Sequence, residues 1–171
     1  MDNEQPVSGV RRSECGDYNL YILTTEERPL YLPGLWYKYA NAADLPDTER
    51  EGWINYFSRA SEIVLFQTQE ERVVGAAFFG GIEPRDTCDA HVAFWEDVPH
   101  SDRIALGKIA CTGVLNLYEL LRIETYVPFP NTQVVDYAKE LGFQMVGRIP
   151  RGMRYEGKPR DVSFLVFTEE V

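Results

Sequence analysis

A long, mostly apolar helical pattern between two strand-like runs limits most strongly what this chain can fold into. Residues 101–122 read SDRIALGKIACTGVLNLYELLR; AHVAFW precedes them at 90–95 and IETYVPF follows at 123–129. A strand, a helix and a strand of these sizes form a parallel crossover unit. The sequence therefore predicts an α/β domain in which these two strands are parallel.

The predicted helix has a start signal and two unusual glycines. Ser101 is a suitable N-cap, because its hydroxyl can accept from the free amides of the first turn. Gly107 and Gly113 lie inside the pattern, and each costs roughly 1 kcal/mol relative to alanine in a helix. We therefore expect another element to pack closely at both. Several apolar residues on more than one face predict a largely buried helix: Ile109, Leu115, Leu117, Leu120 and Leu121.

The segments before the crossover predict an antiparallel meander. EIVLFQT and RVVGAAFFGGI are rich in branched and aromatic residues, and the polar TQEER between them is typical of a hairpin. With AHVAFW they form three neighbouring strands.

YNLYILTT at 18–25 is an earlier strand candidate. DTEREGWINYFSRA predicts a helix capped by Asp47 or Thr48, whereas residues 34–44 fit either a short helix or an aromatic loop.

The C-terminal third adds one helix and two strands. After PFP, Asn131 can cap a helix that carries Val134, Ala138 and Leu141 on one face, and Gly142 occupies a left-handed C-cap position. FQMVG and DVSFLVF then predict the last strands. The order is strand, helix, three strands, helix, strand, helix, two strands. It predicts one mixed-sheet domain over residues 13–171, after a flexible tail at 1–12.

Composition excludes several classes of partner. Seventeen basic against twenty-seven acidic residues give a net charge of -10, which disfavours nucleic acid and anionic membranes. The three cysteines are odd in number and widely spaced, so they indicate neither a disulfide framework nor a metal site. The N-terminus resembles no signal peptide. The longest apolar run, at 73–82, is shorter than the roughly 20 residues that span a bilayer. We expect a cytoplasmic protein.

This order, and the segment YVPFPNTQVVDYAKELGF at 126–143, resemble the GNAT superfamily of acetyl-CoA-dependent N-acetyltransferases. The resemblance covers roughly residues 15–170. Its main marks are Pro128, Asn131 and the helix end Leu141-Gly142-Phe143. RYEGKPRD at 154–161 is similar to the branch that contains ribosomal-protein N-terminal acetyltransferases.

The resemblance implies a fold and an activity. The fold would be a single GNAT-like domain: a mixed, mostly antiparallel sheet with helices on both faces and a central parallel strand pair that splays. The activity would be direct acyl transfer from acetyl-CoA, as cosubstrate, to the primary amine of a small molecule or peptide. A homodimer is possible. The alternatives are a non-catalytic binding or assembly module of the same fold and an unrelated α/β interaction domain.

Two positions depart from the family pattern. The phosphate-binding loop of many members, Arg/Gln-x-x-Gly-x-Gly/Ala, corresponds here to HSDRIALG, in which Arg103 and Gly107 are four rather than three residues apart. Asp102 in this loop would repel a pyrophosphate. Many members carry a tyrosine as general acid where this chain has Ala138, with Tyr137 as its neighbour.

The resemblance also implies cofactor-binding residues. Backbone amides near Phe94 and Trp95 would polarise the thioester carbonyl, as preorganised donors can. The start of the long helix would bind the pyrophosphate, because a helix N-terminus attracts anions. Asn131 would either reach the cofactor or serve only as a cap. The residues assigned to the pyrophosphate are His100, Ser101, Asp102, Arg103, Ile104 and Ala105.

Candidate catalytic residues lie on or beside AHVAFW. His91 could take a proton from the amine, and Glu83 or Glu96, at strand ends, could do the same. Each of the three could instead have a purely structural or solvated role. Two clusters leave similar alternatives. Trp36, Tyr37 and Tyr39 form either an acceptor pocket or core. Arg148, Arg151, Arg154, Lys158 and Arg160 form either an anion-binding surface or a solvated hairpin.

Overall fold

A computed structural model describes residues 12–43, 47–58, 61–155 and 157–168. In these ranges eight strands and four helices follow one another as the sequence pattern predicts, with one extra strand at the start and a second helix before the meander. The strands are β1 Arg12–Cys15, β2 Tyr18–Ile22, β3 Glu62–Thr68, β4 Val73–Gly80, β5 Thr87–Phe94, β6 Arg122–Pro128, β7 Gln144–Tyr155 and β8 Lys158–Phe167. The helices are α1 Arg28–Ala43, α2 Arg50–Phe57, α3 His100–Leu117 and α4 Thr132–Leu141, and a 3-10 turn, Asp47–Glu49, precedes α2.

All eight strands belong to one mixed sheet, in the order β1-β2-β3-β4-β5-β6-β8-β7. Strands β5 and β6, which α3 connects, are parallel, and the other neighbours are antiparallel. This arrangement confirms the predicted crossover unit and the antiparallel ends of the sheet.

The parallel pair separates part-way along its length. Pairing between β5 and β6 covers only three positions, from Thr87 opposite Arg122 to Asp89 opposite Glu124. Beyond that point β5 stays paired with β4 as far as Phe94, and β6 stays paired with β8 as far as Pro128. We call the point of separation the fork. The predicted splay of the central pair is confirmed.

Helices cover both faces of the sheet, and the alternation of side chains along the strands sorts them into two cores. In β3, Val64 and Phe66 belong to the α3/α4 core, whereas Ile63 and Leu65 belong to the α1/α2 core. Such a period of two is what a strand buried on both faces requires. The helical parts of the α3/α4 core come from Leu106, Ala110, Cys111, Val114, Leu115, Val135, Ala138 and Leu141.

Several local predictions about the long helix are wrong. The N-cap of α3 is Pro99 rather than Ser101, which lies in the first turn, and no side chain caps the helix. The outer face of α3 and the turn after it are more open than predicted: Ile109, Leu117 and Leu121 are exposed. A Cβ at Gly107 would meet Leu141 Cδ2 at 2.6 Å, but at Gly113 it would meet nothing within 4 Å. Close packing is therefore confirmed at Gly107 only.

The remaining segments resolve the open alternatives. Residues 34–44 fall largely within α1, so the helical alternative is the correct one. The predicted tail lies outside the described residues except for Arg12, which begins β1. Gly142 has the left-handed conformation predicted for it, with φ of 107°. Within the described residues, no helix has the length and apolar character needed to cross a bilayer.

Candidate functional site

The fork exposes backbone groups of β5 that have no strand partner. Thr125 Oγ1 donates to the Ala90 carbonyl over 3.1 Å, so that carbonyl faces β6. Backbone groups point to opposite sides of a strand at successive residues. The N–H groups of Val92 and Phe94 therefore face the gap as well, beyond the last residues that β6 pairs with. These two amides are the donors that the fork offers to a ligand.

The next amide along β5 is already in use. The Trp95 N–H donates to the Val74 carbonyl over 3.1 Å, and its indole N–H donates to the Val73 carbonyl over 2.9 Å. Trp95 therefore points its donors toward β4 and away from the gap. Phe94 is fixed from the other side, because its ring stacks on Phe66 with centroids 5.0 Å apart. Of the two sequence-predicted donors, only Phe94 faces the fork.

The first turn of α3 is uncapped and carries charges of both signs. The N-cap residue Pro99 makes no side-chain capping hydrogen bond, and Asp102 is the acidic residue of the turn that carries the partial positive charge of the helix end. Arg103 lies in this turn; its Nε donates to the Val98 carbonyl over 2.7 Å, and its Nη2 lies 3.8 Å from Asp97. Asp102 is half-buried in the same turn. The helix end therefore offers amides and one guanidinium, with two carboxylates close by.

The other predicted phosphate-site residues are also in this turn. His100 Nε2 lies 2.6 Å from Glu140 on α4, and the Ser101 hydroxyl donates to Asp102 over 3.4 Å. Ile104 packs against the α3/α4 core, and Ala105 is half-buried. All six therefore share the first two turns of α3.

Helix α4 faces the same side of the fork. Asn131 is its N-cap residue, but the Asn131 side chain makes no capping hydrogen bond. Ala138 is buried in the core. The Tyr137 hydroxyl donates to the Arg103 carbonyl over 3.1 Å, and burial raises the pKa of Tyr137. Tyr137 therefore ties α4 to the first turn of α3.

A hydrogen-bonded chain of four side chains lies on the opposite face of the fork, under α1 and α2. The Tyr56 hydroxyl donates to Asp89 Oδ1, and Asp89 Oδ2 lies 3.3 Å from His91 Nε2. Tyr39 Oη lies 3.4 Å from His91 Nδ1. A carboxylate can only accept, so Nε2 carries the imidazole proton, and in the neutral ring Nδ1 accepts from Tyr39. Both nitrogens of His91 are thus engaged.

The surroundings of these hydrogen-bonded side chains set the protonation states of Asp89 and Tyr39. Burial alone would raise the pKa of Asp89, but the hydrogen bonds from His91 and Tyr56 outweigh it and lower the pKa overall. Burial, with the charges of Glu49 and Asp89, raises the pKa of Tyr39 to about 12. At neutral pH the ionised Asp89 carboxylate therefore lies between Tyr56 and His91, and the neutral phenol of Tyr39 ends the hydrogen-bonded chain.

Glu124 is the register partner of Asp89, directly across the fork on β6. It accepts from Tyr126 Oη over 2.7 Å and from Arg122 Nε over 2.7 Å. Burial opposes ionisation of Glu124, yet these two donors lower its pKa overall. The fork thus has a carboxylate on each of its two strands.

Comparison with solved structures gives the same architecture. RimL, a ribosomal L7/L12 alpha-N-protein acetyltransferase, matches with a TM-score of 0.68 and 14% identity, over 92% of this chain and 96% of that chain. Mutant forms of the spermidine/spermine N-acetyltransferase SpeG from Vibrio cholerae match with a TM-score of 0.69 and 13% identity, over 91% of this chain and 95% of that chain. The chain has the GNAT fold. No protein-family model matches its sequence, and neither does any curated protein.

In this GNAT-fold chain the predicted general bases are far apart. Glu83 precedes β5 and Glu96 follows it, so the length of an eight-residue strand separates them, roughly 20 Å or more. Glu83 is exposed at the paired end of β5 and β6, and Glu96 lies 3.4 Å from Arg72. His91 alone of the three lies on the diverging part of β5.

Sequence reasoning missed three side chains on the polar face of the fork: Tyr56, Asp89 and Glu124. For Asp89 a signal was present, because it stands two residues before His91 and so shares its strand face. The strand was predicted to begin at Ala90, which removed Asp89 from consideration. Tyr56 and Glu124 come from other elements, and only the tertiary structure brings them to Asp89.

The two residue clusters with open alternatives also have defined places. Trp36 is fully buried and Tyr39 stacks on Trp53, with ring centroids 5.4 Å apart, whereas Tyr37 is exposed. The core alternative thus holds for Trp36. The basic cluster lies on the β7–β8 hairpin, where Arg148 pairs with Asp161 over 3.1 Å and covers the ring of Phe129.

In this GNAT-fold chain, the apolar side of the fork suits the thioester and arm of an acyl-CoA better than the first turn of α3 suits its pyrophosphate. The gap offers two unpaired backbone donors and apolar side chains, as a thioester and its slender arm require. The first turn of α3 offers amides and Arg103, but Asp97 and Asp102 oppose a pyrophosphate by charge.

Proposed function

We propose that this protein is an N-acyltransferase that transfers an acyl group, most simply acetyl from acetyl-CoA, directly to a primary amine. The observation that carries the proposal is the fork, where β5 leaves β6 after Asp89 and keeps two backbone donors toward the gap. Donors fixed before the reaction stabilise charge that develops on a carbonyl oxygen.

On the donor side, the Phe94 and Val92 amides would hold the thioester carbonyl. The α3 first turn, with Arg103, would hold the phosphate end. Asn131 would contact the arm, and the absence of a side-chain capping bond supports this role. Coenzyme A supplies the activated acyl group and a thiol leaving group with a pKa near 8.5. A leaving group of this kind needs only modest help, so the buried Ala138 in place of tyrosine does not prevent transfer.

On the acceptor side, His91 would take the proton of the attacking amine, directly or through water. The geometry favours His91 over Glu83 and Glu96, because it alone lies where the strands diverge. Nδ1 is the nitrogen with a lone pair, and Tyr39 donates toward it. Acceptance of the proton therefore requires the Tyr39 hydroxyl to release Nδ1, and Asp89 would then stabilise the imidazolium at Nε2.

The decisive experiment is a thermal melt with and without acetyl-CoA, followed by a thiol-release assay over a panel of primary amines. At about 100 times the dissociation constant, a ligand stabilises the folded chain by roughly 2.7 kcal/mol, or on the order of 5 to 10 °C in Tm for a domain of this size. A shift with acetyl-CoA together with thiol release supports the enzyme, and absence of both contradicts it. Free cysteine serves as the control for non-specific thiol effects.

A second candidate function is a non-catalytic binding module of the same fold. The acidic residues beside the first turn of α3 and the missing tyrosine at Ala138 favour it. A Tm shift without turnover on any amine of the panel would select this alternative.

Two further proposals concern the oligomeric state of the protein and its location in the cell. Exposed apolar residues on the outermost strand β7, namely Met145, Val146 and Ile149, support self-association as a homodimer, which light scattering after gel filtration would test. The buried free thiols of Cys88 and Cys111 suit a reducing compartment and support a cytoplasmic location.

A further inference from the structure

On the polar face of the fork, the carboxylates carry more negative charge than the neighbouring cationic side chains neutralise. Asp89 and Glu124 are opposite each other in the last parallel pair, so their side chains project to the same face. Their side chains are 23% and 15% exposed, so each still meets solvent at the point where the strands separate. Helices α1 and α2 contact β5 and β4 on this face, and the Tyr126 side chain of β6 is exposed beside them.

Among the described side chains, one permanent cation lies beside these two carboxylates. Among the described ion pairs, Arg122 pairs with Glu124, and His91 Nε2 pairs with Asp89. Asp89 accepts from the Tyr56 hydroxyl, which is neutral, and lies 3.3 Å from His91 Nε2, which is cationic only when both ring nitrogens carry protons. The hydrogen bonds around both carboxylates keep their pKa values low. With His91 neutral, the cluster therefore has one uncompensated negative charge in a partly desolvated place.

The remaining groups of this face suit an organic cation. Tyr126 stacks on Phe164 with centroids 5.0 Å apart, and its hydroxyl is bound to Glu124. Tyr56 is exposed and bound to Asp89. Two tyrosines thus flank the two carboxylates, and aromatic faces attract ammonium groups while their apolar area packs against methylene groups. A carboxylate brought to the same place would face two like charges.

We propose that the acceptor is a cationic amine with no carboxylate next to its reacting nitrogen, and that Asp89 and Glu124 bind its ammonium group at the fork. This inference rests on the proposed acyltransferase function, of which it specifies the substrate class. It admits alkyl diamines and aralkylamines, and it excludes free α-amino acids reacting at the α-nitrogen. The ammonium would donate its N–H groups to the carboxylates and pass one proton to His91, which frees the nitrogen lone pair for attack on the thioester carbonyl. The second proton, lost as the amide forms, would go to the departing thiolate.

Matched substrate pairs test the inference. Cadaverine and lysine, like tyramine and tyrosine, differ only by a carboxylate beside an amine. We expect kcat/KM with acetyl-CoA, followed by thiol release, to be at least about tenfold higher for the amine without the carboxylate in each pair. For lysine, the position acetylated is identified by mass spectrometry, because its side-chain amine has no adjacent carboxylate.

Conservative variants locate the discrimination. Asp89→Asn and Glu124→Gln keep the size of each side chain and remove its charge, so each should lower the preference for tyramine over tyrosine several-fold. The matched control is Asp136→Asn, which removes an exposed carboxylate on α4, 69% accessible in its side chain, and should leave the preference unchanged. Circular dichroism verifies that each variant is folded.

The outcomes separate this inference from the proposed function. Turnover of tyrosine and tyramine with equal kcat/KM overturns the inference and leaves the acyltransferase standing. If no amine releases thiol, calorimetric titration of tyramine and tyrosine into the wild-type chain decides the inference: tighter binding of tyramine that Asp89→Asn abolishes supports it, and equal or absent binding overturns it. An acetyl-CoA melt in the same series reports separately on the function.

Discussion

Two glycines in the same helix should respond oppositely to the same substitution. Gly107 and Gly113 both lie in α3. In a helix interior, glycine lowers the free energy of unfolding by roughly 1 kcal/mol relative to alanine. The Cβ added by Gly113→Ala would meet nothing within 4 Å, so this substitution should raise the free energy of unfolding by the whole of that difference. Gly107→Ala would place its Cβ 2.6 Å from Leu141 Cδ2 and 3.3 Å from Leu141 Cδ1, on the neighbouring helix α4.

The expected magnitudes follow from these contacts. Gly113→Ala should stabilise the fold by about 1 kcal/mol, which raises Tm by roughly 2 to 4 °C in a domain of this size. Gly107→Ala has the same gain, offset by an overpacking cost of about 1 to 3 kcal/mol. Leu141 is buried at 2% exposure, so it has little room in which to turn aside. The net change at Gly107 should lie between zero and about 2 kcal/mol of destabilisation.

Calorimetric melts of the wild type and both variants measure the difference directly, with acetyl-CoA present and absent. Displacement of α4 would also disturb the bond from Tyr137 to the Arg103 carbonyl, which lies in the proposed donor site. Gly107→Ala should therefore lose part of the stabilisation by acetyl-CoA, whereas Gly113→Ala should keep all of it. Equal rises in Tm for the two variants would refute the close contact between α3 and α4.

Two further predictions concern the polar face of the fork. His91→Ala should lower kcat by about 100-fold, at the low end of what a positioned base contributes, while the Tm shift caused by acetyl-CoA stays the same; unchanged turnover would remove His91 from the mechanism. The pKa values of Asp89 and Glu124 are lowered in the folded chain, so their contribution to stability is present above the unfolded values near 4 and is lost as pH falls below them. Chemical unfolding from pH 7 to pH 3 should show this loss, and a smaller one in the Asp89→Asn, Glu124→Gln double variant.

The order of the elements was predictable because each strand and helix has its own pattern of apolar residues in the sequence. The branched and aromatic residues of EIVLFQT and the long apolar pattern of 101–122 identified β3 and α3 without tertiary information. Helix α1 was ambiguous, since Pro33 and Gly34 lie inside it and both are poor helix formers. Burial of Leu32 and Leu35 in the α1/α2 core overrides that local preference.

The candidate site was predictable only where one element carries it. His91 could be placed from its own strand, whereas the fork was expected from the resemblance to the GNAT superfamily. The start of α3 was misplaced because a serine in sequence resembles a cap, whereas the backbone of Pro99 takes that position. Pairing of Asp89 with Glu124 depends on the register of two strands that are more than thirty residues apart. Nothing in the local sequence of either strand fixes that register.

The alternation of a single strand would let the fork separate the two substrates of the proposed reaction. In β5, Ala90, Val92 and Phe94 project toward α3 and α4, whereas Asp89 and His91 project toward α1 and α2. One side of the gap is therefore apolar and lined by helices, as a pantetheine arm requires, and the other is anionic and rich in hydroxyl groups, as an ammonium requires. Pairing with β6 would close the passage between them. Since β6 leaves after Asp89, the backbone amides between the two faces remain free at the place where an acyl group would have to pass from one to the other.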